Sequence, residues 1–276
     1  MSIKIVADSS SDITVFDGAD FASAPLKIVT DQKEFTDVPE SDVKEMTSFL
    51  KSYKGKSGSA CPSVGDYIEA FSDAEEVICI TITSGLSGSY NSACVARDRY
   101  LDEHPDRKVF VFDSLSVGPQ MELAVIKMAQ LIKEGRAFDE VVSEVLEYYK
   151  KTDFRFMLKS MTNLVNNGRV SKSSAVLASV LGICVVGSVT KEGTLSSDKK
   201  VRGDKKAVRE IFDVMKQQGY KGGKVIINHC FNGECADILA KEIKTVWPGA
   251  DVSIKGTRLL CSYYAEEGGV LVGFEK

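Results

Sequence analysis

At 276 residues, 43% of them hydrophobic and 27% charged, the chain can bury a sizeable core as one large α/β domain or as two smaller ones. Its formal net charge of −4 excludes the basic surface that a nucleic-acid partner requires. No window reaches eighteen apolar residues and the amino terminus runs straight into a strand, so neither stable membrane insertion nor a signal peptide is expected, and a cytoplasmic location is.

Ile3-Lys4-Ile5-Val6-Ala7 reads as a first strand that ends in the polar cluster Asp8-Ser9-Ser10-Ser11-Asp12. No G-x-G-x-x-G follows it, so a dinucleotide fingerprint is absent. Ala24–Val29 and Lys33–Val38 read as a hairpin around Thr30-Asp31-Gln32, and a helix is expected from Asp42 to Tyr53. The small residues from Lys54 to Ser63 read as a loop. Its Gly55-Lys56-Ser57 has the tail of a phosphate-binding loop, but Leu50 stands where the first glycine of that motif belongs, so no phosphate cradle forms. Pro62-Ser63 then starts a helix with Val64, Tyr67, Ile68 and Phe71 on one side.

Val77–Thr83 is a β-branched, nearly unbroken apolar run, the composition of a strand buried on both faces of a mostly parallel sheet. From Ser89 apolar residues recur at helical spacing. A strand that becomes a helix through Ser84-Gly85-Leu86-Ser87-Gly88 points free N–H groups and a partial positive charge above the turn, the outline of a carboxylate site. An ordinary turn, with glycines for tight dihedrals and serines as helix caps, is the alternative. Val109–Asp113 reads as another strand, followed by helices from Gln120 to Glu134 and from Phe138 to Lys151. The serine-rich turns at 9–11, 84–89 and 114–116 then share the carboxyl edge of one parallel sheet, where ligands of such sheets bind.

From Asp153 the pattern changes. A strand at Phe154–Leu158, short helices around Asn167-Gly168-Arg169 and a hairpin of Ile183–Thr190 with Thr194–Val201 are expected. Helices Lys205–Gln218 and Ala236–Val246 alternate with strands Lys224–His229, Asp251–Lys255 and Val270–Phe274. The expected fold is α/β in two domains: residues 1–155, a mostly parallel sheet with a small inserted hairpin, and residues 156–276, an α+β domain.

Seven cysteines, at 61, 79, 94, 184, 230, 235 and 261, form an odd set without a C-x-x-C pair and read as reduced residues, mostly core. Cys230 and Cys235 beside His229 match no zinc spacing, so no metal is assigned. Gly85-Leu86-Ser87-Gly88-Ser89 misses the nucleophile elbow G-x-S-x-G because position 89 is serine. A hydrolase at Ser87 would depend on His229 as its base. Hydroxyls at Ser59 and Ser87 instead make a neutral cradle for a carboxylate, with no adjacent base to activate a nucleophile.

Ala7–Asp12, Ser59–Ser63, Ser84–Tyr90, Phe112–Ser114, Asn167–Ser171 and Val201–Gly203 follow the order and spacing of the DegV family, which the chain resembles over nearly its whole length. That family contains the fatty-acid-binding subunits of bacterial fatty acid kinase. The resemblance implies a two-domain protein holding one long-chain fatty acid, such as palmitate, stearate or oleate, with its carboxyl group at the domain junction and its acyl chain buried. A separate ATP-dependent kinase would phosphorylate the carboxylate, so the binding subunit carries no catalytic residue and no cofactor. By position, Ser59 takes the place of the family's carboxylate-binding threonine, and Ser87 with Gly88 matches its S-G-L-S-G segment. Arg169 in Asn167-Gly168-Arg169 matches the arginine of its G-G-R. Tyr264 falls where the family usually has a histidine; a phenol still donates one hydrogen bond to a carboxylate, so the substitution bears on kinase coupling rather than on lipid binding. The alternatives are the serine-dependent small-molecule hydrolase and a carrier of another anionic lipid.

Overall fold

The computed structural model describes residues 3–171 and 182–276. The chain opens with β1 (Ile3–Asp8) and a 3-10 turn (Ser9–Ser11), then pairs β2 (Phe21–Ala24) in parallel beside β1. At Pro25 it leaves that sheet, since proline has no N–H to donate to a ladder. The segment expected as one strand from Ala24 to Val29 is therefore divided between two sheets. β3 (Lys27–Val29) and β4 (Glu34–Thr36) form the expected hairpin. After α1 (Val43–Ser52), β5 (Gly58–Ala60) adds to the other side of β3, with Ser59 opposite Ile28. That stretch is expected as loop because its small residues have no strand preference of their own; β3 supplies the pairing.

α2 (Val64–Phe71) begins with a reciprocal cap in which Ser63 Oγ accepts the Asp66 N–H at 3.1 Å and Asp66 Oδ2 accepts the Ser63 N–H at 2.7 Å. β6 (Glu76–Thr81), α3 (Ser89–Glu103), β7 (Lys108–Asp113), α4 (Pro119–Lys133) and α5 (Phe138–Tyr149) follow. The main sheet runs β2-β1-β6-β7, parallel throughout. Its strands are apolar on both faces. Ile3, Ile5, Ile78 and Ile80 join the core with α4 and α5, whereas Val6, Val77, Cys79 and Val111 meet α2 and α3 on the other side.

The second sheet begins with β8 (Thr152–Leu158), which leads into α6 (Thr162–Asn166). Any helix past Ser171, in the segment expected to be helical around Asn167–Arg169, lies outside the described residues. β9 (Ile183–Val189), β10 (Leu195–Arg202), α7 (Asp204–Gln217), β11 (Lys224–His229), α8 (Gly233–Val246), β12 (Asp251–Gly256), α9 (Leu259–Ala265) and β13 (Val270–Glu275) complete the fold. This sheet runs β10-β9-β8-β13-β11-β12, antiparallel except between β11 and β12. Met157, Val225, Ile227, Val272 and Phe274 pack under α7 and α8. Phe154, Phe156, Leu158 and Leu271 face the other way, as the two-residue period of a strand requires.

α9 has no counterpart in the sequence reading. Six of its seven residues are buried, so no polar face marks the helical period.

The two sheets meet across α4, which packs on β1 and on β13 and β11. A Cβ on Gly273 of β13 would lie 2.6 Å from the Pro119 carbonyl carbon, so glycine permits the approach. Polar ties cross the same junction. Asp12 accepts the Arg258 N–H and the Asn228 side-chain amide, both at 2.8 Å. The Arg258 guanidinium pairs with Asp37 at 3.1 Å, and Lys255 pairs with Glu122 at 2.7 Å. All seven cysteines are free thiols, five of them buried.

Candidate functional site

A narrow cavity lies between the carboxyl edge of the parallel sheet and the face of the second sheet that carries Phe154, Phe156 and Leu158. The space between its walls is about 620 Å³, solvent at the mouth included, within the usual range for small-molecule sites. Its walls combine strand residues of β8, β10 (Leu195) and β13 (Leu271) with helix residues of α6 (Leu164) and α9 and with loop residues that include Ile82 and Val117. The alternation of β8 turns three of them, Phe154, Phe156 and Leu158, to one face.

Ser59, Ser87, Arg169 and Tyr264 line this cavity, whereas Gly88 does not. Gly88 is the N-cap of α3, and a Cβ there would lie 3.4 Å from Cys61 Sγ. Ser59 Oγ and Tyr264 Oη are 2.7 Å apart. Beside them Ser57 Oγ and Tyr263 Oη are 2.8 Å apart, and Tyr263 Oη also accepts from Asn167 Nδ2 at 3.0 Å. The Arg169 guanidinium donates to the Asn167 carbonyl at 2.6 Å. β5 with the residue before it, the Tyr263-Tyr264 dipeptide of α9 and the turn after α6 thus join in one hydrogen-bonded group, of which Ser59, Tyr264 and Arg169 line the cavity. Arg169 is the one ionisable cation among the described lining residues.

The turn before α3 differs from the sequence expectation. Four of its N–H groups are engaged: Ser84 N donates to Asp113 Oδ1 at 3.1 Å, Gly85 N to Thr83 Oγ1 at 3.1 Å, and Leu86 N and Ser87 N to the Thr83 carbonyl, each at 3.2 Å. These bonds hold the exposed turn to Thr83 and Asp113. It presents the Ser87 side chain to the cavity, before a helix whose N-cap, Gly88, offers no side-chain cap.

A buried carboxylate holds the turn in place. Asp8 Oδ2 accepts from Ser89 Oγ at 2.6 Å and from the Ile82 N–H at 2.8 Å. Burial raises its pKa above the ordinary carboxylate value, against the pull of the Ser10 and Ser89 hydroxyls. The Asp8–Asp12 cluster marked a strand end in the sequence without revealing these partners.

A model of the DegV family, described as an uncharacterised protein family, matches residues 2–276. The chain belongs to the DegV family. It is 40% identical over 279 residues to a DegV domain-containing protein of Streptococcus pneumoniae, covering 100% of this chain and 99% of that one. The solved structure of a DegV family protein from Eubacterium eligens, loaded with heptadecanoic acid, superposes with a TM-score of 0.97 at 43% identity over 100% of both chains. The Streptococcus pneumoniae Fatty Acid Kinase (Fak) B3 protein, loaded with linoleic acid, also superposes with a TM-score of 0.97, at 40% identity over 100% of this chain and 99% of that one.

In this DegV chain the base that a hydrolase at Ser87 needs lies elsewhere. His229 Nδ1 accepts the Asn232 N–H at 3.1 Å, burial lowers its pKa, and it is not among the cavity-lining residues. The hydrogen bond recorded at Ser87 Oγ is accepted from the Ser89 N–H at 3.3 Å.

Among the described residues, no helix is long and apolar enough to cross a membrane, and no group of three or more histidine, cysteine or acidic side chains is placed to hold a metal ion.

Proposed function

We propose that this protein binds one long-chain fatty acid, with its carboxylate at Ser59, Ser87, Tyr264 and Arg169 and its acyl chain lying over the face of the second sheet that carries Phe154, Phe156, Leu158 and Leu271. The observation that carries the reading is the make-up of the cavity: apolar walls together with three hydroxyls and a single guanidinium. That set complements an anion with a long apolar tail. The heptadecanoic and linoleic acids in the two superposed DegV structures support the same ligand class. Burying a methylene contributes about 0.8 kcal/mol, so some fifteen contribute roughly 12 kcal/mol before association costs, whereas one hydrogen bond to a charged group contributes about 1.5–3. The tail supplies affinity and the head group sets orientation.

The protein acts as a carrier, not a catalyst, and hands the carboxylate to a separate fatty acid kinase, as the likeness to the pneumococcal Fatty Acid Kinase (Fak) B3 protein supports. Its site of action is the cytoplasm, in keeping with seven free cysteines, and its two domains divide near residue 155. The test is denaturing extraction of the purified protein followed by mass spectrometry. Close to one equivalent of a long-chain fatty acid is expected. Recovery of a different anionic lipid, or turnover of an ester substrate by the native protein but not by Ser87→Ala, would overturn the reading.

A further inference from the structure

Thr83, at the start of the turn that carries Ser87, is buried and uses every polar atom it has. Its carbonyl accepts both the Leu86 and the Ser87 N–H at 3.2 Å, and its own N–H donates to the Ser116 carbonyl at 2.9 Å. Its Oγ1 accepts the Gly85 N–H at 3.1 Å and donates to the Gly193 carbonyl at 2.9 Å. Gly193 belongs to the turn joining β9 to β10, which is closed by Gly193 N–H to Thr190 O at 3.0 Å and by Thr190 N–H to Thr194 O at 2.7 Å. Leu195, next along the chain, lines the cavity. A single hydroxyl therefore joins the turn bearing Ser87 to a hairpin of the other sheet.

The contact leaves no room for side chains. A Cβ on Gly193, whose φ is +74°, would stand 1.9 Å from Thr83 Oγ1 and 3.3 Å from the Leu115 Cα. A Cβ on Gly85 would stand 2.8 Å from the Glu192 carbonyl oxygen and 2.9 Å from that of Gly193. Glycine on both sides is what lets the two backbones meet.

We infer that Thr83 is the positioning residue for the head-group end of the cavity, fixing Ser87 by docking its turn on the Thr190–Thr194 hairpin. The inference rests on the reading of the cavity as a fatty-acid site. Removing the hydroxyl leaves the Gly193 carbonyl and the Gly85 N–H without their partner, a cost that favours undocking of the two turns. Ser87 then shifts, and its hydrogen bond to the carboxylate weakens. Thr83 itself is not among the residues that line the cavity, so tail binding persists. The loss is thus specific to the head group.

The experiment compares heptadecanoic acid with heptadecan-1-ol as competitors for a fluorescent fatty acid on the delipidated full chain. The native protein should prefer the acid. Thr83→Val should reduce that preference about tenfold, the factor that about 1.4 kcal/mol represents, with alcohol affinity nearly unchanged. Thr83→Ser, which keeps the hydroxyl, should restore it. Gly193→Ala perturbs the contact from the opposite side and should match Thr83→Val; it carries the comparison by itself if Thr83→Val does not fold. A native preference retained in both variants overturns the role of Thr83 alone, as does an equal loss of acid and alcohol. A native protein indifferent to acid and alcohol overturns the head-group reading itself, and this inference with it.

Discussion

Ser59 Oγ and Tyr264 Oη lie 2.7 Å apart although 205 positions separate them in the chain. β5 brings the serine and α9 the tyrosine, and both line the cavity. Because each hydroxyl fixes the other, their losses should not add. Ser59→Ala and Tyr264→Phe should each weaken fatty-acid binding several-fold to about thirtyfold, and the double variant should be little worse than either single one. A double-mutant cycle by titration calorimetry checks this; strict additivity would contradict a shared carboxylate.

Ser87→Ala should weaken binding about ten- to a hundredfold, the range expected for one hydrogen bond to a charged group. Shortening the ligand should cost far more, because each methylene removed from the apolar walls forfeits about 0.8 kcal/mol. Affinities for a series of saturated acids measured on the delipidated protein decide the matter. Equal affinity for eight-carbon and sixteen-carbon acids would show that the tail is not buried.

Acidity should act through the junction rather than through the cavity. Burial pushes the Asp12 carboxyl from 3.8 up to about 6, against the pull of Lys255, the Arg258 N–H and Asn228. The folded protein therefore holds this proton more tightly than the unfolded chain. The contribution to stability is fully present below the unfolded value of 3.8 and is lost as pH rises through about 6. It amounts to at most about 3 kcal/mol. Asp12→Asn mimics the neutral carboxyl and tolerates the left-handed backbone at this position, where φ is 60°. Asn228 Oδ1, buried without a hydrogen-bond partner, can turn to accept from the new amide. Relative to this variant, the melting temperature of the native protein should fall as pH is raised from about 4.5 to about 7. Parallel profiles would show that Asp12 does not titrate in the fold.

Much of this architecture is legible in the residues. The apolar runs at β1, β6 and β7 mark a doubly covered parallel sheet, and the polar clusters that follow them mark its ligand edge. What is not legible depends on distant partners. Gly58–Ala60 becomes a strand only because β3 lies beside it, Pro25 divides one apolar run between two sheets, and α9 hides its period by being buried nearly all round. The hydroxyls of Ser59 and Ser87 are legible as a carboxylate cradle, whereas Arg169 and Tyr264 come only from the resemblance to the DegV family. Gly88 shares a motif with Ser87 but caps a helix, and the roles of Asp8 and Thr83 appear only when their buried partners are seen.

The approach of α4 to β13 gives a stability test independent of the ligand. A methyl group on Gly273 would press on the backbone of Pro119 and Gln120, which cannot give way as a flexible side chain can. Gly273→Ala should therefore destabilise the protein by roughly 1–3 kcal/mol, the usual cost of overpacking. Urea unfolding measures it; a neutral result would mean that the helix shifts freely over the strand.

A crystal structure of the protein with heptadecanoic acid tests the central claim most directly. The carboxylate should lie within hydrogen-bonding distance of Ser59 Oγ and Ser87 Oγ, with the acyl chain running over Phe156 and Leu271 on the face of the second sheet. An acyl chain bound outside this cavity, or a carboxylate at the opposite end from Ser59 and Tyr264, would contradict it.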